Sequence, residues 1–268
     1  MADIYSVNAE NIVGGPGRLV VKPWDGTYPE TIGEVMSLSS PFSLTGGYWD
    51  LGATVEGITI NRAFETEDFT VDQVSSPVET SITGWTHNLT TSLAENTVEN
   101  RQVALIGGTI IETDPVIGTS TTTVSMTAMN GTLLNLTDAS AFTVGGYLEV
   151  SGETYRIASI SGNTVTLERG VTSEIAASAS VSPITELGTR RIGYGTVNDV
   201  PFYTYALISQ KKDGSLYMAV FRKCKVTGDD KEQVFSSAKR VLPLAVNAFP
   251  DGNIDSTENV YYEIEQVV

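Results

Sequence analysis

The sequence predicts an all-β protein of the sandwich or barrel kind with one covering helix, and three observations carry that reading. Thr, Val, Ser and Ile are abundant across the 268 residues. Turn pairs recur at short intervals, at Asp25-Gly26, Gly46-Gly47, Asn130-Gly131, Ser151-Gly152, Gly162-Asn163, Asp213-Gly214 and Asp251-Gly252. Short β-rich runs punctuated by such turns are the pattern of stacked or closed antiparallel sheets. A single segment has helical character.

Each element follows from local chemistry. The clearest hairpin runs from Phe202 to Val226, with arms FYTYALISQ and LYMAVFRKCKV joined by KKDGS. Both arms are aromatic and β-branched, and glycine closes the turn. The C-terminal run NVYYEIEQVV alternates Val260, Tyr262 and Ile264 against Tyr261, Glu263 and Glu265, as a strand with one wet face does. The helix is expected from Asn96 or Thr97 through VENRQVALIGG. Thr97 caps its first turn, Glu99 suits its positive end, and Gly107-Gly108 supplies a left-handed stop.

Residues 116 to 185 change character. Flanks rich in small polar residues, PVIGTSTTT and AASASVSP, enclose the compact stretch GGYLEVSGETYRIASISGNTVTLERG. Two hairpins are visible in it, turned at Ser151-Gly152 and at Ser161-Gly162-Asn163. The expected organisation is therefore a discontinuous main domain, 1–115 with 186–268, and an inserted β module over 116–185. Insertions are tolerated where a surface loop brings its ends together.

Charge narrows function. Acidic residues outnumber basic ones 32 to 16, which argues against tight binding of nucleic acid, since phosphates need Lys and Arg to displace condensed counterions. Residues 1–115 hold 16 acidic against 4 basic residues, 116–185 hold 5 against 2, and 186–268 hold 11 against 10. One end or face is thus expected to be strongly electronegative. No apolar run approaches the ~20 residues of a membrane span, and MADIYSVNAENIVGG lacks the regions of a secretory signal. Folding in a cytoplasm without membrane insertion is the expectation. Cys224 is the one cysteine, so an internal disulfide is impossible.

The stretch from Gly57 to Gly108 carries a family resemblance: GITINRAFETEDFTVDQVSSPVETSITGWTHNLTTSLAENTVENRQVALIGG. A strand at ITINR, an acidic loop ETEDFTVDQ leading to PVETSITGW, an alternating strand through HNLTTSL and a helix opening resemble, in that order, the tail tube (major tail) proteins of tailed bacteriophages. The late segment RIGYGTVNDVPFYTYALISQKKDGSLYMAVFRKCKV is similar to the closing hairpin of the same family. The resemblance implies a β-sandwich flanked by a helix, six copies closing into a ring, and rings stacking into a virion tail tube assembled in the host bacterial cytoplasm. It implies that viral DNA passes through without specific binding, repelled by an acidic lumen, and that tape measure, terminator and distal tail proteins are partners. A docking loop over Arg62 to Thr80 is implied, with Phe64 and Phe69 as apolar anchors and Glu65, Glu67, Asp68 and Asp72 as charged neighbours. The terminal segments, Asp3 to Val13 and Val260 to Val268, are further interface candidates. SISGNTVTLERG is similar to small β modules of phage structural proteins, which places the insert on the outer surface as decoration, host-surface contact or a passive ornament.

The remaining chemistry is set against plainer readings. His87, the one histidine, is expected on the wet face of a strand, since neither Cys224 nor any serine lies in a nucleophile signature. Cys224 is expected to point into the core between Lys223 and Lys225. Asp251, Asn253 and Asp255 open like a calcium loop, but Ser256 and Tyr262 stand where its glycine and glutamate belong. Gly14-Gly15-Pro16-Gly17 lacks the lysine of a phosphate cradle and reads as a bend in an N-terminal arm. Arg190, Arg191, Lys211, Lys212, Arg222, Lys223 and Lys225 form the basic concentration, expected to meet an acidic face of a neighbouring subunit. No enzyme activity, cofactor or metal is expected. The alternatives are the tube of a contractile tail or injection machine, whose sheath an outward insert would obstruct, and a receptor-binding or adhesin module.

Overall fold

The computed structural model describes residues 17–74, 76–196, 198–228 and 241–267. The expectations for Asp3 to Val13 and for Gly14 to Pro16 lie outside these. The chain divides into two compact units, Met1–Thr109 with Ile192–Val268, and Ile110–Arg191. The first unit holds strands β1 (Arg18–Pro23), β2 (Trp49–Asp50), β3 (Thr54–Phe69) and β4 (Glu79–Leu93), then helix α1 (Val98–Ala104). The second holds β5 (Ile111–Thr113), β6 (Val116–Ile117), β7 (Thr121–Thr122), β8 (Leu133–Asn135), β9 (Tyr147–Val150), β10 (Glu153–Ser161), β11 (Thr164–Leu167), β12 (Ser180–Glu186) and β13 (Thr189–Arg191). The first unit resumes with β14 (Tyr203–Gln210), β15 (Leu216–Val226), β16 (Leu242–Phe249) and β17 (Tyr261–Glu265). The protein is all-β with one α-helix among the described residues.

The first unit is one antiparallel sheet in the order β2-β1-β14-β15-β16-β4-β3, with β17 paired to β15. Alternation along the central strands sends side chains to two cores. Leu19, Val21, Tyr205 and Phe221 join Leu89, Leu93, Leu242, Leu244 and Val103 of α1 in one cluster. Strands from both ends of the sheet order share that cluster, so the sheet curls around it. Val20, Ala206, Ile208, Met218 and Val220 face the other way, onto Ile32, Val35, Met36 and Tyr48. A short 3-10 turn, Ile32–Glu34, lies in this covering segment. With both faces covered, β15 is buried almost continuously.

The hairpin expected from Phe202 to Val226 forms as β14 and β15. Its turn is fastened by Asp213, whose carboxylate accepts from the backbone N–H of Ser215 at 2.9 Å. The Thr97 hydroxyl accepts from the Asn100 N–H at 3.1 Å and caps α1. The left-handed stop differs from expectation. Ile106 adopts φ 57°, and the next N–H, of Gly107, donates to the Gln102 carbonyl at 2.8 Å. That is the six-to-one bond of a Schellman closure. Gly107 lets Ile192 pack close, because a Cβ there would stand 2.3 Å from Ile192 Cδ1 and displace that side chain.

The second unit is a small closed barrel. Its sheet runs β6-β12-β9-β10-β11-β8, with β7 also on β12. The circuit closes where the chain just past β7 bridges the chain just past β8, Thr123 opposite Leu136, reinforced by Thr137 N–H donating to the Thr122 carbonyl. Closure satisfies strand edges that an open sheet would expose. Leu134, Leu148, Tyr155, Ile157, Val165, Leu167 and Val181 fill the interior. The β9–β10 turn uses Ser151 and Gly152, both at positive φ, as a primed two-residue hairpin requires. The boundaries are wider than 116–185, because β5 pairs with β13 and extends the unit to Ile110–Arg191.

Candidate functional site: a two-stranded arm and the groove at its root

β3 and β4 stay paired from Thr54–Leu93 out to Phe69–Glu79. β16, the other neighbour of β4, reaches only as far as Asn247 opposite Asn88. From Arg62 and His87 outward the two strands therefore pair only with each other among the described residues, which makes a ribbon that leaves the sheet. This corrects the docking loop: Phe64, Glu65, Glu67, Asp68 and Phe69 lie within β3, and Asp72 alone of the six lies in the connecting turn. The acidic run looked loop-like because charge disfavours strands on average. Here Thr66, Thr80 and Thr86 with the aromatics sustain the ladder, and the exposed carboxylates deter random edge pairing.

One face of the ribbon is an aromatic file. Phe64 lies opposite Trp85 with ring centres 5.2 Å apart, Trp85 stacks on His87 at 6.1 Å, and His87 meets the edge of Tyr261 at 5.6 Å. Tyr261 in turn stacks on Phe221 at 5.1 Å, at the edge of the main core. The file is wet at its outer end, where Phe64 is 57% and Trp85 47% exposed; Phe69, at the tip and 61% exposed, falls by alternation on the other face. The opposite face presents Glu65 and Glu67. A two-stranded hairpin is at best marginally stable alone in water, and a row of exposed aromatic and aliphatic side chains of this kind marks a contact surface.

A groove of about 610 Å³ opens at the arm's root. Arg62, Trp85 and His87 line one side, and the 256–263 stretch with Tyr261 lines the other. The Arg62 guanidinium lies 4.2 Å over the Trp85 ring, and its Nε donates to His87 Nε2 at 3.3 Å. The wet strand face expected for His87 is corrected: it is only 7% exposed. Burial, and then the Arg62 charge, holds its pKa below the ordinary histidine value, so the neutral ring accepts from Arg62. Proximity of Arg62, Trp85 and Tyr261 to His87 follows from register alone and left no signal in the sequence.

The basic residues are dispersed and mostly engaged within their own unit. Arg222 is corrected as an interface candidate: it is 6% exposed, sandwiched between the rings of Tyr28 and Tyr262 at 4.7 and 4.1 Å, with Nε donating to the Glu258 carbonyl. Lys223 lies 4.5 Å over Trp24 and 4.6 Å over Phe202. Lys225 pairs with Asp199, and Lys211 pairs with Glu265. Lys212 is exposed in the hairpin turn. Arg190 and Arg191 lie on β13 of the second unit, where Arg190 pairs with Glu112 at 2.7 Å. Burial lifts the Cys224 thiol well above its usual range, and the side chain sits in the main core, 1% exposed.

The 251–257 turn uses its carboxylates locally. Asp251 accepts from the Tyr28 hydroxyl at 2.5 Å and from the Asn253 N–H at 3.0 Å, and Asp255 accepts from Thr257 at 2.9 Å. Among the described residues no group of three or more His, Cys, Asp or Glu side chains is arranged to hold a metal ion. No helix there is long and apolar enough to cross a membrane. Set beside known proteins, the sequence matches no family model and no curated relative.

Proposed function

We propose that the chain is a structural, self-assembling protein, the tail tube protein of a tailed bacteriophage, whose copies close into rings that stack into an electronegative conduit for DNA. One observation carries the reading furthest: the arm of β3 and β4 exposes Phe64, Trp85 and Phe69 beside Glu65 and Glu67, and beyond His87 its strands pair only with each other among the described residues. Such an arm gains stability by lying on another copy, which is how a self-assembling subunit uses it. The ordered likeness of Gly57 to Gly108 to tail tube proteins supplies the family, the six-fold ring, and the tape measure, terminator and distal tail partners. The net charge of −16 suits a bore that lets phosphate pass without holding it.

The test is sedimentation velocity and negative-stain microscopy of the full chain over a wide concentration range. Rings or tubes are expected, together with their loss when 64–85 is replaced by a two-residue Asn-Gly turn that leaves the root of the ladder intact. A wild-type chain that stays monomeric at millimolar concentration overturns the proposal.

A further inference from the structure

Arg62 differs from two other cations of the acidic first segment. Arg18 is paired with Asp50 at 2.6 Å and Lys22 with Asp25 at 3.0 Å. Arg62 is instead held by two neutral groups, the His87 ring nitrogen and the Trp85 face, and no described carboxylate stands within ion-pair distance of it. The carboxylates that share its groove are committed elsewhere. Glu258 lies 3.6 Å from the Arg222 guanidinium, and Glu263 stands beside the Tyr217 hydroxyl, whose pKa is raised by burial and then by that carboxylate. The result is a fixed, uncompensated guanidinium at the mouth of an aromatic-walled groove, in the planar geometry that favours a carboxylate.

The groove also lies between two strand edges that lack partners among the described residues. β17 pairs on one side only, with β15, and β4 from His87 outward pairs only with β3. An extended segment entering there finds backbone donors and acceptors on both flanks, as in strand addition.

We infer that this groove is the receptor for the tip of another copy's arm, with Glu65 or Glu67 of the incoming arm on Arg62 and its Phe69 against Trp85 and Tyr261. The chain's own tip is excluded by distance. The ladder runs from Arg62 to Phe69 with one bulge between Glu65 and Thr66, and seven residues of β3 at the strand rise hold the tip roughly 23 Å from the root. Charge selects the occupant, because the tip carries carboxylates with no basic neighbour in 63–80. Donor and receptor are different patches of one chain, so the contact is head-to-tail and propagates from copy to copy. The inference rests on the self-assembly proposed above and names its receptor.

A charge-swap series on the full chain tests it. Arg62→Glu, and separately Glu65→Lys/Glu67→Lys, are each expected to lower assembly at least tenfold in critical concentration. The chain carrying all three substitutions is expected to recover most of it, because each copy then offers a cationic tip and an anionic receptor. Arg62→Gln guards against misfolding of the charge-reversed form, with circular dichroism and the Cys224 thiol as folding checks. Normal assembly of Arg62→Glu and Arg62→Gln overturns the receptor while self-assembly stands. Failure of the triple variant to recover, with all variants folded, overturns the tip as occupant. A wild-type chain that never assembles overturns both.

Discussion

Replacing Leu134 by Ala should unfold the small barrel without touching the main sheet. Leu134 is fully buried and packs among the strands that close the second unit. Truncating a leucine in such a place costs about 3–5 kcal/mol, the lost transfer energy plus the cavity left behind. An 82-residue unit, 110 through 191, has a total stability of roughly 4–12 kcal/mol at the usual ~0.05–0.15 per residue. The substitution thus removes between a quarter and all of it, and lowers the unit's midpoint by at least about 10 °C. The chain supplies its own reporter. All three tryptophans, Trp24, Trp49 and Trp85, belong to the first unit, so tryptophan fluorescence follows that unit, while calorimetry and far-ultraviolet circular dichroism follow both. The expected result is an early calorimetric transition in Leu134→Ala with an unmoved tryptophan transition. If the tryptophan midpoint falls together with the calorimetric one, the two cores are one cooperative system and the reasoning fails.

Three further predictions follow from named groups. The depressed pKa of His87 means that its neutral form is favoured by folding, so the arm's root keeps this stability above the unfolded histidine value of about 6.5. It is lost as pH falls through the lowered folded value, when a cation would face Arg62 and the acceptor for Arg62 Nε disappears. With one histidine in the chain, its NMR titration is unambiguous, and a midpoint at or above 6.5 would refute the reading. Thr97→Ala should cost about 1 kcal/mol by freeing the capped Asn100 N–H, read from the denaturation midpoint of the tryptophan signal. Cys224 should react with a thiol reagent only at the rate at which the first unit unfolds, since burial disfavours the thiolate; rapid labelling of the native protein would show the core to be open there.

What was legible in the sequence was local. The hairpin of β14 and β15 declared itself by two aromatic, β-branched arms around Asp213-Gly214, and α1 by Thr97. The turns of the small barrel were visible for the same reason, in Ser151-Gly152 and Gly162. What depended on distant chain was hidden. RLVVKP becomes β1 with no alternation to announce it, because the 28–48 segment covers the face that would otherwise be wet. The run from Arg62 to Phe69 resembled a loop because a two-stranded ribbon exposes both faces, and its polarity pattern lacks the dry side by which strands are recognised. Arg222 looked like surface charge, yet Tyr28 and Tyr262 converge on it from 194 residues before and 40 after in the chain.

That last distinction bears on how the molecule separates fold from contact. The cations of β15 spend their charge inside the first unit, on Tyr28, Tyr262, Trp24, Phe202 and Asp199. The arm does the reverse: its carboxylates and aromatics lie outside, and Arg62 is steadied by neutral groups that leave its charge available. A mutation in the first set acts on stability, because it removes cation–π contacts that hold half-buried rings together within the unit. A mutation in the second set acts on association, because the ladder beneath it is held by backbone bonds that do not depend on those side chains. Comparing Arg222→Met with Arg62→Gln makes the contrast measurable. The first should lower the denaturation midpoint by roughly 1–4 kcal/mol through two lost cation–π contacts while the surviving folded chains still associate. The second should cost at most about 1 kcal/mol, through its single exposed cation–π contact with Trp85 and its bond to His87, while association is lost. An Arg62→Gln chain that is destabilised as much as Arg222→Met would show that the guanidinium belongs to the fold and not to the contact.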